Sequence, residues 1–231
     1  MKFYWRKHFE EKFLQNRESF LKQVGKTING KEIPWSQVDL IIKHIRKNLF
    51  LKETDIVVDL GCGNGILTRS LAINVKSIRG YDFSSLHIDE AKNLNKFSNV
   101  WYELLDINKL KPHHTDDANI IILFEVLQHM NKCEFNSLLE KLYINSCSKS
   151  KIFIGGIPDR RLIRSFYNTN KKYDFYLKSL EEDKPHLGTW WDKKDLINLA
   201  KKTGWKAKFI DQPELLYSSY YRFDLLLTKL T

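Results

Sequence analysis

The chain has 231 residues, 42% hydrophobic and 13% aromatic, which allows one α/β domain with decoration and excludes two large domains. Its formal net charge of +10 suits nucleic acid, an anionic membrane surface or an acidic substrate, but Lys, Asn and Ile abound along the whole chain, so charge alone assigns no function. Three cysteines, Cys62, Cys133 and Cys147, lack CxxC spacing and read as reduced thiols of a cytoplasmic protein, with no zinc site, no signal peptide and no membrane span.

The first fifty residues read as helical and form an expected N-terminal cap over 1–52. In PWSQVDLIIKHIRKNL, Pro34 and Ser36 open a helix, and Val38, Ile41, Ile42, Ile45 and Leu49 follow at helical spacing. This helix is expected to cover one edge of the domain that follows, 53–231. There, IVVDL (56–60), SIRGYD (77–82), NVWYELL, ANIIILF and KIFIGGI read as five strands. ILTRSLA, SSLHIDEAKNLNK and CEFNSLLEKLYINSC read as helices between them. The alternation predicts parallel βαβ units in an α/β, doubly wound, Rossmann-like sheet.

Gly155, Gly156 and Pro158 are expected to end the fifth strand. Residues 158–190 follow as a basic, aromatic insertion of mixed helical character. DKKDLINLAKKTGW is a helix with Asp192 at its start and Gly204 at its stop. KAKFID and RFDLLLT lie too close together for a helical crossover. They are expected to pair antiparallel at the sheet edge, completing a seven-stranded, mostly parallel sheet with an antiparallel last strand.

DLGCGNG (59–65) joins the first strand to the helix after it. Gly61, Gly63 and Gly65 permit a tight turn and close approach of backbone to ligand. The second strand ends on Asp82, about twenty residues on, where a carboxylate can accept from ribose hydroxyls. The third ends on Asp106 beside the same crevice. The spacing is GxGxG, not GxGxxG, and Asp59 precedes it. An acidic residue there suits a cationic or ammonium-bearing ligand better than a pyrophosphate. No GxxxxGK[ST] occurs, which argues against nucleoside triphosphate hydrolysis.

Together DLGCGNG, GYDFS, LLDI and ILFEVLQH resemble the class I S-adenosylmethionine-dependent methyltransferases over roughly residues 55–155. The resemblance implies S-adenosylmethionine as cofactor. It implies that Asp59 and the backbone of Gly61, Cys62, Gly63 and Gly65 hold the methionine part. Asp82 then binds the ribose, Phe83 lies against the adenine, and Asp106 with the Ile107 backbone reads the adenine amino group. Phe124 lines the pocket near the sulfonium, and Glu125 orients the cofactor or a neighbouring helix. Cys62 is expected as a small loop residue, not a nucleophile.

The end of the fourth strand faces the methyl group in this fold, and FEVLQHM (124–130) is informative there. It lacks the [Asn/Asp]-Pro-Pro-aromatic stretch of base amino-group enzymes, the Pro-Cys pair of cytosine C5 enzymes and the aspartates of metal-dependent catechol-type enzymes. A metal-free O-methylation of a small molecule fits best. The N-terminal QVGKTINGKEI and the PHLGTWW segment together look like methyltransferases of surface-polysaccharide and secondary-metabolite clusters, so a sugar or related small molecule, neutral or acidic, is the favoured acceptor; RNA methylation and N-methylation of a small amine are the alternatives. His129 is the first candidate general base and His186 the second. The insertion is expected to cover the acceptor, with Trp190, Trp191, Tyr217, Tyr220 and Tyr221 as stacking faces and Arg160, Arg161 and Arg164 toward an acidic group. Tyr4 and Trp5 are expected to close over the cofactor.

Overall fold

The structure is a computed structural model and describes residues 2–230. One seven-stranded sheet organises it. The strands are β1 (Ile56–Leu60), β2 (Ser77–Asp82), β3 (Val100–Leu104), β4 (Ile120–Phe124), β5 (Lys151–Pro158), β6 (Trp205–Asp211) and β7 (Arg222–Lys229), in spatial order β3-β2-β1-β4-β5-β7-β6. β7 runs antiparallel to both its neighbours, β5 and β6, and the other pairings are parallel. The last strand is therefore inserted inside the edge, and β6 forms the edge itself.

Besides two four-residue helical turns, Phe20–Gln23 and Ile163–Phe166, the helices are α1 (Lys2–Gln15), α2 (Trp35–Leu49), α3 (Ile66–Leu71), α4 (Ser85–Leu94), α5 (Lys132–Asn145), α6 (Asn170–Glu181) and α7 (Lys193–Lys202). β4 is buried along its full length because successive side chains enter opposite cores. Ile121 and Leu123 meet Phe135, Leu138 and Leu142 of α5 and Leu196 of α7. Ile122 and Phe124 share the other core with Ile41, Ile45 and Leu49 of α2 and Ile88 of α4. Each such side chain contributes about 1.5–3 kcal/mol on burial, so β1 and β4 are rigid supports for whatever follows their carboxyl ends. α2 thus covers a face of the central sheet, not an edge as its position in the chain suggests; its stripe of four buried residues is wide enough to need a face.

Two further expectations are corrected. The N-terminal fifty residues are not wholly helical. Thr27–Ile28 and Lys31–Glu32 form a small antiparallel hairpin, turned by Asn29 and Gly30, both at positive φ (50° and 77°), the conformation that an Asn-Gly pair supplies most easily. Nor do the glycines end β5. The strand continues through Gly155 and Gly156 to Pro158, with a register shift against β7 between Ile154 and Ile157. Gly156 sits at φ 70° and donates its N–H to the buried Asp224 of β7 at 2.7 Å, so the glycine makes a bulge where it was expected to make a stop. Among the described residues no helix is long and apolar enough to cross a membrane.

Candidate active site

The loops after β1, β2, β3 and β4 converge at one end of the sheet. Gly61 and Cys62 both donate backbone N–H bonds to the Tyr81 carbonyl, at 2.7 and 3.0 Å. Asp82 accepts from Gly63 N–H through one oxygen and from Ser84 N–H through the other, each at 2.9 Å. The glycine loop is therefore hung on the end of β2. At Gly63, φ is 54° and a Cβ would lie 2.8 Å from Val24, so the loop and the hairpin segment touch only because no side chain intervenes. Burial pushes the Asp82 carboxyl up, against the opposing pull of His87 and the N–H donors. Phe83, Asp106 and Ile107 line the same wall, and Asp106 accepts from the backbone and side chain of Asn108 at 2.9 and 2.7 Å.

Asp59 and Gly65 lie behind this wall. The Asp59 carboxylate is buried and accepts from Thr68 Oγ1 at 2.6 Å; burial raises it to about 6. Gly65, at φ 75°, precedes α3 and packs on the Tyr102 ring. Cys62 lines the cavity with its thiol pushed well up by burial.

β4 ends on Phe124, and Glu125 turns into the left-handed region at φ 57°, a strained position for a residue with a Cβ. An ion pair holds it there: Lys26 Nζ lies 2.6 Å from Glu125 Oε2 and 4.5 Å from the centre of the Phe124 ring. Tyr217 donates to the other oxygen at 3.2 Å. Burial alone would raise the Glu125 carboxyl, but Lys26 and Arg222 outweigh it and hold the group below its ordinary range.

Leu127–His129 then form a 3-10 turn that the end of the 158–190 insertion fastens from outside. Thr189 donates its N–H to Gln128 O at 2.7 Å and its hydroxyl to Met130 O at 2.9 Å. Trp191 Nε1 donates to Leu127 O at 3.1 Å. His129 is thereby aimed into the cavity, its ring centre 4.2 Å from that of Trp5 and its Nδ1 buried without a partner. Burial, then Arg222 and His8, press its imidazole down to about 3. His186 reaches the cavity rim, with Nδ1 3.2 Å from Tyr167 Oη; burial and Lys12 lower it too.

Trp5, Arg6, His8, Phe9 and Lys12 of α1 and the 24–30 segment close a cavity of about 840 Å3, within the range of small-molecule sites. Trp5 lines it at 4% exposure, whereas Tyr4 does not line it. Of the aromatics expected in the acceptor wall, Tyr217, Tyr220 and Tyr221 line the cavity. Trp191 belongs to the core and Trp190 to an aromatic cluster with Tyr167 and Tyr221. The three arginines point elsewhere. Arg161 pairs with Asp159 at 2.7 Å, Arg164 lies 3.5 Å from the centre of the Tyr173 ring, and Arg160 lines a separate, smaller cavity. The cations that do line the main cavity include Lys26 and Arg222, at 5% and 6% exposure. Neither carried a sequence signal, because each lies far along the chain from the residues it serves.

The profile of a family described as a methyltransferase domain matches residues 51–209. Over 107 residues the chain is 36% identical to the ubiquinone biosynthesis O-methyltransferase of Coxiella burnetii, covering 44% of each protein. The chain thus spans less than half the length of that curated relative. The solved fold of magnesium protoporphyrin IX methyltransferase from Synechocystis PCC 6803, with bound SAH, superposes with a TM-score of 0.67 at 15% identity over the full length of both chains. A TehB-like SAM-dependent methyltransferase from Corynebacterium glutamicum gives 0.60 at 16% identity, covering 96% of this chain and 98% of that one.

Proposed function

The chain belongs to this methyltransferase-domain family, whose methyl donor is S-adenosylmethionine, and from that premise we propose that it methylates a hydroxyl group of a small molecule without a metal. The observation that carries the reading is the single cavity in which the glycine loop, Asp82 and Asp106 meet Glu125, His129 and the tyrosine wall. A sugar or a phenol is the favoured acceptor class. Tyr217, Tyr220 and Tyr221 offer ring faces and hydroxyls to either, and the O-methyltransferase name of the Coxiella relative supports an oxygen acceptor.

The residues present fit the donor. Gly61 and Gly63 present bare backbone to the cavity, and a Cβ at either would strike Val126 or Val24, so the close approach of this loop to a ligand needs glycine there. Asp82 keeps unused lone pairs beyond its two backbone donors and is assigned to the ribose hydroxyls. Phe83, Asp106 and Ile107 are assigned to the adenine, the loop backbone with Cys62 to the methionine part, and Phe124 and Glu125 to the surroundings of the sulfonium. Asp59 acts through the loop, from behind it. When bound, S-adenosylmethionine supplies an electrophilic methyl group for in-line displacement.

The chain's own residues do the rest. Trp5 and Phe9 exclude water from the cavity. The Lys26–Glu125 pair and the 189–191 segment fix the turn that carries His129. With its imidazole held to about 3, His129 stays neutral; its Nε2 accepts from Gln128 Nε2 at 3.1 Å, so its unpartnered Nδ1 carries the ring proton and donates a hydrogen bond to the acceptor oxygen. It orients the hydroxyl and does not take its proton. His186 plays a supporting part at the rim. The same weak basicity favours a second reading, methylation of an amine, which brings its own lone pair.

A methyl-transfer screen over sugars, sugar phosphates, phenols, small amines and RNA tests the acceptor. Turnover on hydroxyl compounds is expected; turnover confined to RNA or to amines would sink the O-methylation reading. Asp82→Ala is expected to weaken S-adenosylhomocysteine binding about tenfold or more by calorimetry, and unchanged affinity would remove Asp82 from the donor site.

A further inference from the structure

Arg222 is the most unusual group in the cavity. It opens β7, is 6% exposed, and lines the site beside the Tyr221 ring, 5.0 Å away. One terminal nitrogen donates to the Gly156 carbonyl. Its Nε is buried without a partner, and no carboxylate among the described residues forms a salt bridge with it. A buried guanidinium left in this state is costly unless an anion meets it. Lys12, on the covering helix α1, also lines the cavity without a salt-bridge partner among the described residues. Both cations bear on the His129 imidazole and help to press it down. Glu125 acts on both cations, but this one carboxylate is already paired with Lys26 at 2.6 Å and faces three cations. Asp82 and Asp106 also line the cavity and are assigned above to the nucleoside. A sulfonium donor would add one more positive charge.

We propose that the methyl acceptor carries an oxyanion, a carboxylate or a phosphate, which docks on Arg222 and Lys12 while Tyr221 flanks the guanidinium. This rests on the methyl-donor reading above and adds the acceptor's charge. The free Nε edge of a guanidinium matches the paired oxygens of either group. Selection for acidic acceptors therefore resides in β7 and α1, not in the arginines of the insertion.

Calorimetry in saturating S-adenosylhomocysteine tests it. The probes are para-hydroxybenzoate for the carboxylate, phenyl phosphate for the phosphate, and para-hydroxybenzyl alcohol as the uncharged counterpart. One of the two anions is expected to bind at least about tenfold tighter than the alcohol, and whichever does identifies the oxyanion. Arg222→Gln and Lys12→Gln are each expected to remove about tenfold of that preference, with Arg222→Lys retaining part of it. Arg161→Gln, outside the cavity, is expected to leave it unchanged. Thermal melts check folding, and the half-buried Lys12 position keeps the test open if Arg222→Gln does not fold. Three results would overturn the inference: an alcohol that binds as tightly as both anions, no binding of either anion, or variants that lose S-adenosylhomocysteine affinity as much as anion affinity. The last would assign the cations to the donor's own carboxylate. Failure of the wild-type chain to bind S-adenosylhomocysteine would instead overturn the donor reading, and this inference with it.

Discussion

His129 lies between Trp5 and Phe9, with ring centres at 4.2 and 5.2 Å, and within the positive field of Arg222, His8 and Lys12. In the unfolded chain its imidazole titrates near 6.5, and in the folded chain near 3. The folded state therefore binds fewer protons between those values, and stability is lost as pH falls from about 6.5 toward 3. The full linkage is roughly 5 kcal/mol. His129→Leu is expected to flatten this part of the acid limb in urea melts taken at several pH values; an unchanged limb would mean that the imidazole is not desolvated as described. The same residue marks a limit of sequence reading. FEVLQHM placed His129 at the site, but a histidine in a sequence carries no sign of the charges that will surround it.

At the scale of elements, β5 and the hairpin are instructive. Gly155 and Gly156 read as a strand end because glycine is poor in strand interiors. The strand continues because Asp224, on a strand almost seventy residues away, accepts the Gly156 N–H, and the same oxygen takes Gln212 Nε2 at 2.9 Å. Its other oxygen meets His44 Nε2 at 2.8 Å. Asp224→Ala would leave these buried partners unsatisfied. The expected loss is about 3 kcal/mol or more in chemical denaturation, and a loss under about 1 kcal/mol would refute the role given to the bulge. The hairpin, by contrast, was legible: Asn29-Gly30 between Thr27–Ile28 and Lys31–Glu32 is a local turn signal, hidden only by the helical residues on either side. The capping box at Asn131 and Glu134 is equally local and starts α5 where the helical pattern begins.

At the scale of the molecule, the sheet is the fixed body and the N-terminal segment is its cover. α1 lines the site with the side chains Trp5, Arg6, His8, Phe9 and Lys12, and Phe13 packs beside it on His87, while the loops beneath are anchored by β1, β2 and β4. Elements with fewer buried contacts open more readily. Hydrogen exchange is expected to slow across residues 4–15 and 24–30 when S-adenosylhomocysteine binds, with little change in β1 and β4. Unchanged exchange in α1 would show that it does not cover the occupied cavity. The net charge of +10 also gains a location at this scale, since its most buried members, Lys26 and Arg222, face the cavity and not the solvent.

The sequence by itself determined the alternation of strands and helices, the antiparallel last strand, the glycine loop, the carboxylate that ends β2 and the Asp106 carboxylate just beyond β3. All of these follow from local periodicity, turn chemistry and short motifs, which fold near their own neighbours. Only the tertiary structure decided which cations meet Glu125, how low His129 is driven, why Asp59 stands behind the loop, and that α1 and β7 line one cavity. Those outcomes depend on burial and on charges brought together from distant parts of the chain: Lys26 with Glu125, and Arg222 with Gly156. Desolvation makes such encounters strong, and nothing local in the chain records where they will occur.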